Sequence, residues 1–141
     1  MIGAHAWDEH LDLGHEVMDQ EHHLQMALVS AVADAIEQNR PAEARRLSAQ
    51  LVAYSGMHFG SEELLMSASS YPERQRHSDE HRMLSQAMQE VEGALERDER
   101  ELALAFALDL RAGLAGHITG SDRRLADHLR PLPPATLPRR V

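Results

Sequence analysis

The sequence predicts an all-α fold, an up-down-up-down antiparallel four-helix bundle with an N-terminal extended arm. Three observations lead there. Ala, Leu, Glu, Arg and Gln dominate the 141 residues, and all are good helix formers. Aromatics are only 4%, and runs of Val, Ile, Thr and Tyr that would favour strands are absent. Apolar residues recur at steps of three and four in four successive stretches, which keeps them on one face of a helix.

The first helix is expected over about 17–38, stopping near Asn39-Arg40-Pro41. Its inward stripe is His22, Gln25, Val29, Val32 and Ile36. Pro41 suits the first turn of the second helix, which reaches about Ser67 with the stripe Leu47, Leu51, Tyr54, His58 and Glu62. Ser69-Ser70-Tyr71-Pro72 is a break, and Pro72 can open the third helix, which reaches about Glu96. Its stripe is His77, His81, Leu84, Met88, Val91 and Leu95. The fourth spans about 99–129 with Leu102, Phe106, Leu110, Gly113 and His117 inward. Short connections between such helices make neighbours antiparallel. Met1–Gly14, with Trp7, is expected to lie across the bundle as the arm. Residues 1–130 read as the bundle, and the four-proline stretch 131–141 as a tail.

Composition excludes several functions. There is no cysteine, so disulfides, iron–sulfur clusters and thiolate zinc sites are ruled out. A formal charge of −9 argues against nucleic acid as a partner. No membrane partner is expected, since no apolar run approaches the ~20 residues a span needs. The N-terminus, MIGAHAWDEH, lacks the basic and then apolar pattern of a signal peptide, so the expected compartment is the cytoplasm.

Ten histidines is a high count, and several continue the apolar stripes. One histidine on an apolar face is usually a hydrogen-bonded core residue. Here His22, His58, Glu62, His77, His81, His117 and Asp122 are spread over all four helices. They fall at the start of the first and third and the end of the second and fourth, ends that coincide in an antiparallel bundle. Burying such groups unpaired costs about 2–7 kcal/mol each even when neutral. A metal centre removes that cost. Five imidazoles and two carboxylates are too many for one tetrahedral zinc, and suit two first-row ions bridged by the carboxylates. Nitrogen-rich, sulfur-free ligation points to iron, ahead of manganese, cobalt or zinc. From His117 to Asp122 is a step of five, about 140° off the stripe in an α-helix of ~100° per residue. One π-type turn would bring both side chains inward.

The motifs Asp-Gln-Glu-His (19–22), His-Phe-Gly-Ser-Glu-Glu (58–63), His-Ser-Asp-Glu-His (77–81) and His-Ile-Thr-Gly-Ser-Asp (117–122) resemble those of the hemerythrins, in particular the single-domain bacterial type. Trp7 and Tyr71-Pro72 fit as well, and the resemblance covers residues 7 to about 129. It implies that His77, His81 and His117 bind one iron and His22 and His58 the other. Glu62 and Asp122 would bridge them beside an oxo or hydroxo bridge. Dioxygen would bind reversibly, as hydroperoxide, at an open position on the second iron.

In the ligand pocket Phe59, Leu114 and Ile118 match apolar positions of the family, whereas two residues depart from it. Gly113 stands where tryptophan is common, and Gln25 where Leu or Ile is common. A polar Gln25 there implies faster autoxidation; in a blander role it would bond a neighbouring backbone group. Gly113 reads as space for the pocket, Gly116 and Gly120 as close helix packing and distortion near the π-turn. Glu63 points about 100° from Glu62 and is not expected to be a ligand. Met18, Met26, Met66 and Met83 read as packing residues, and His5, His10, His15, His23 and His128 as exposed.

The expected function is oxygen carriage, storage or sensing, a binding role rather than catalysis. The alternative is a di-iron enzyme reducing peroxide or nitric oxide, or a fast-autoxidising oxygen scavenger. Azide is a further expected ligand. Signalling or redox chemistry would go through a separate partner protein.

Overall fold

The computed structural model describes residues 9–130. Trp7, His5 and the Pro-rich segment 131–141 lie outside the described residues. Helix α1 runs Glu16–Glu37, α2 Pro41–Ala68, α3 Arg74–Glu96 and α4 Arg100–His117. A π-helical segment, Ile118–Asp122, joins α4 to α5, Arg123–Leu129. α1 packs on α2 and α4, α2 on α3, and α3 on α4, the square of an antiparallel four-helix bundle.

The three reversals share one chemistry. Each helix ends with a residue in the left-handed region: Asn39 at φ 57°, Ser70 at φ 51° and Asp98 at φ 56°. The next N–H reaches back to the third carbonyl from the helix end, Arg40 to Ala35 at 2.9 Å, Tyr71 to Met66 at 3.0 Å and Glu99 to Ala94 at 2.9 Å. These are Schellman motifs, and they satisfy carbonyls that the helix leaves open. Pro72 lies in the second reversal rather than in the helix, because the Schellman hydrogen bond of Tyr71 still belongs to the end of α2.

The described part of the arm is a 3-10 turn, Glu9–Leu11, followed by Gly14 at φ 79°. Asp19 accepts the N–H groups of Leu13 and Gly14 at 2.8 and 3.1 Å, which ties the arm to α1. Leu11 and Leu13 are buried with Met18, Met66, Tyr71, Ile118 and Leu125 in an apolar cluster at this end of the bundle. A larger cluster fills the bundle beyond, with Val29, Val32, Leu51, Met88, Val91, Leu110 and Leu114. Burying one such large side chain stabilises the fold by roughly 1.5–3 kcal/mol.

Some stripe positions differ from expectation. On α4 the core face runs Ala103, Ala107, Leu110, Leu114 and His117, so Leu102 is exposed and Phe106 half-buried. Gly113 is exposed for the same reason, since its neighbour Leu114 takes the inward position. Met83 is 68% exposed, whereas Met18 and Met66 are core residues. Gly116 has open space where a side chain would begin, so close helix packing does not explain it. Among the described residues one stretch, Arg100–Leu129, is long and apolar enough to cross a membrane, with hydropathy 1.3. Here it forms one wall of the bundle and directs His117 and Asp122 inward.

Candidate metal centre

Between the two apolar clusters lies a layer of polar side chains. His22 comes from α1, His58 and Glu62 from α2, His77 and His81 from α3, His117 from the end of α4, and Asp122 from the π-helical segment. All seven are buried, with exposures of 0–6%. The π-segment is the local feature that completes the set. Its wider turn absorbs the five-residue step and leaves Asp122 fully buried beside His117. Ser121, one residue earlier, turns toward α3 instead and donates to Glu80 at 2.6 Å.

The oxygens divide the layer in two. Glu62 Oε2 lies 3.3 Å from His22 Nε2 and 3.0 Å from His58 Nε2. Its Oε1 lies 3.0 Å from His77 Nε2 and 2.9 Å from His81 Nε2. Asp122 Oδ2 is 2.8 Å from His22 Nε2, while its Oδ1 is 3.0 and 3.1 Å from His77 and His117 Nε2. Each carboxylate thus turns one oxygen to each imidazole group. Two donor sets follow: Glu62, His77, His81, His117 and Asp122; and His22, His58, Glu62 and Asp122. Every donor atom in a set lies within 4.8 Å of the others.

The Glu62 contacts with His22, His77 and His81 are aligned as hydrogen bonds, whereas those of Asp122 and the His58–Glu62 contact are short but poorly aligned. Both Asp122 oxygens, His58 Nε2 and His117 Nε2 are buried without a hydrogen-bond partner. Lone pairs that converge on a shared point instead of on each other's protons fit a cation there. Leaving them unmatched would cost at least ~1–3 kcal/mol apiece. The donors therefore fit a dinuclear metal site. With octahedral preference, the five-donor set is nearly filled by protein, whereas the four-donor set leaves room for a small ligand.

Charge supports the same reading. Burial opposes a charged His22, yet the Asp122 and Glu62 carboxylates outweigh it and hold the imidazole at about 9. His77 is held at about 9 by the same balance. Burial also pushes Glu62 and Asp122 up, but the surrounding imidazoles keep both below the usual carboxylate range. Without metal, protons on the imidazoles balance the buried carboxylates, and a bound cation displaces them.

A ring of outer carboxylates was not anticipated from the sequence. His58 Nδ1 donates to Glu21 Oε1 at 2.7 Å, His81 Nδ1 to Glu63 Oε2 at 2.8 Å, and His117 Nδ1 to Glu80 Oε1 at 2.8 Å. Each bond fixes the tautomer that leaves the Nε2 lone pair facing inward. In each case the glutamate sits beside a ligand of one helix and reaches a ligand of the next. That adjacency was the available signal: a residue about 100° from an inward position faces the neighbouring helix. Glu63 is in neither inner donor set.

Among the pocket candidates, Phe59, Leu114 and Ile118 are buried. The Phe59 ring stacks on His81 with centroids 4.2 Å apart. Gln25 is 1% exposed and donates through Nε2 to Ser55 Oγ at 2.9 Å, a side-chain rather than a backbone partner. Gly113 is not brought to the site.

Comparison with known proteins agrees with this geometry. A model of the hemerythrin HHE cation binding domain matches residues 13–129. A bacteriohemerythrin of Ralstonia nicotianae is 29% identical over 125 residues, 87% of each chain. One of Stenotrophomonas maltophilia is 25% identical over 125 residues, 89% of this chain and 81% of its own.

Moving the inner carboxylate back by one residue, with Ser121→Asp and Asp122→Ser together, sets it against Glu80. The expected result is loss of one or both bound metal ions, read by elemental analysis of the folded protein; unchanged metal content would show that the π-segment does not direct Asp122. Glu80→Gln and Glu63→Gln each keep the shape but remove the outer charge. Competition with a chelator should then show metal affinity lower by roughly 10- to 100-fold, against no change if these contacts are incidental.

Proposed function

The chain belongs to the hemerythrin HHE cation binding domain family, and we propose that it holds two iron ions with an oxo or hydroxo bridge and binds dioxygen reversibly. In this reading His77, His81 and His117 hold one ion, His22 and His58 the other, and Glu62 and Asp122 join the pair. The single observation that carries the proposal is the split of each carboxylate, one oxygen to each imidazole group. A pair of iron ions supplies two electrons to dioxygen and recovers them on release.

The protein's own part is threefold. It places the two ions side by side through shared carboxylates. It fixes three imidazoles by outer carboxylates, so that little rearrangement accompanies a change of charge. It also shields the site, with Phe59 and Leu114 on one side and Met18, Ile118 and Leu125 on the other. In this reading the ion held by His22 and His58 would offer the dioxygen position, with a bridging hydroxide supplying the proton of the hydroperoxide form. Phe59, Leu114 and Ile118 would line it. Carriage, storage or sensing follows from such binding, and any sensing would need a partner protein. We place the activity in the cytoplasm, with residues 1–130 as the functional domain and 131–141 as an appended tail.

A second reading has an observation of its own. The buried Gln25–Ser55 pair is polar where reversible oxygen binding benefits from an apolar pocket. It supports reduction of peroxide or nitric oxide, or rapid autoxidation, as the alternative.

Anaerobic reduction followed by air decides between the readings. Reversible binding gives two irons per chain and a peroxide-to-iron charge-transfer band that disappears on deoxygenation. A transient band with release of hydrogen peroxide favours the alternative. Absence of any band, with zinc as the native metal, overturns both.

A further inference from the structure

The layer order on α1 and α2 singles out two residues. His22 and His58 approach edge to face, with ring centroids 4.8 Å apart. One turn deeper, Gln25 follows His22 by three residues and Ser55 precedes His58 by three. Gln25 Nε2 donates to Ser55 Oγ at 2.9 Å across the same helix pair. One turn deeper again, the wall is Val29 and Leu51, both fully buried and apolar. Gln25 and Ser55 thus form the layer next to the two imidazoles of the four-donor set.

Their hydrogen-bonding capacity is only partly used. Both side chains are 1% exposed, so little bulk water reaches them. A primary amide carries two N–H donors and a carbonyl acceptor, and a serine hydroxyl is both donor and acceptor. The contact between them uses one amide N–H and one hydroxyl lone pair. The Gln25 carbonyl oxygen, its second amide N–H and the Ser55 hydroxyl proton remain, one acceptor and two donors. A buried polar pair with spare capacity costs stability unless something meets it.

We propose that Gln25 and Ser55 form a hydrogen-bonding subsite for water or hydroxide at the four-donor metal. An O–H ligand donates to the Gln25 carbonyl and accepts from Ser55, which azide, having no proton, can match only in part. The pair thereby favours the oxidised, water- or hydroxide-bearing state over states with proton-free ligands. This rests on the di-iron reading above.

The test is azide titration of the diferric, iron-loaded protein, followed by its charge-transfer band, in the parent chain and in Gln25→Leu and Gln25→Met. Loss of one hydrogen bond to the competing O–H ligand should make azide bind roughly tenfold more tightly in both variants. Iron content at two per chain and a cooperative thermal unfolding transition of the metal-free variants report that site and fold are intact. Azide affinity within twofold of the parent in an iron-loaded variant overturns the subsite and leaves the di-iron reading standing. Failure of the parent to hold iron overturns the di-iron reading and, with it, the subsite. If one variant does not load iron, the other decides.

Discussion

Two carboxylates buried among five imidazoles impose the constraint on which the structure depends. Glu62 and Asp122 are at most 1% exposed, and Asp122 has no aligned hydrogen bond to either oxygen. A bundle of this size could fill the same layer with leucine and be more stable. The polar layer is tolerated because a positive charge can stand where its lone pairs meet, through metal or, in its absence, through protonated imidazoles. The rest of the fold holds that point fixed: an apolar cluster on each side, three Schellman reversals, and a π-segment that directs one carboxylate.

Much of this was legible in the chain. The helices follow from the three-and-four spacing and from the punctuation at Asn39–Pro41 and Ser69–Pro72. The donor set follows from histidines on all four inward stripes, and the five-residue step from His117 to Asp122 predicts the π-segment that the structure contains. Spacing works here because an inward stripe is a local property of a helix, and because antiparallel order then brings the ends together.

What was not legible concerns relations between helices. The stripe on α4 is narrower than its large apolar residues suggest. Ala103 and Ala107 take the core positions, leaving Leu102 exposed and Phe106 half-buried, and helix rotation of this kind depends on the partner surface. Glu21, Glu63 and Glu80 lie off the inward stripes, so periodicity does not mark them. Their role appears only when the next helix supplies an imidazole Nδ1 within 2.8 Å. The partner of Gln25 is likewise a serine from another helix, which no periodicity marks.

The central claim is that two metal ions share Glu62 and Asp122. Anomalous diffraction from crystals of the iron-loaded protein, collected on both sides of the iron edge, tests it most directly. The account predicts two adjacent peaks, one among His77, His81 and His117 and the other beside His22 and His58, with a carboxylate oxygen of Glu62 and of Asp122 facing each. A single peak, or iron bound anywhere outside this layer, would contradict it.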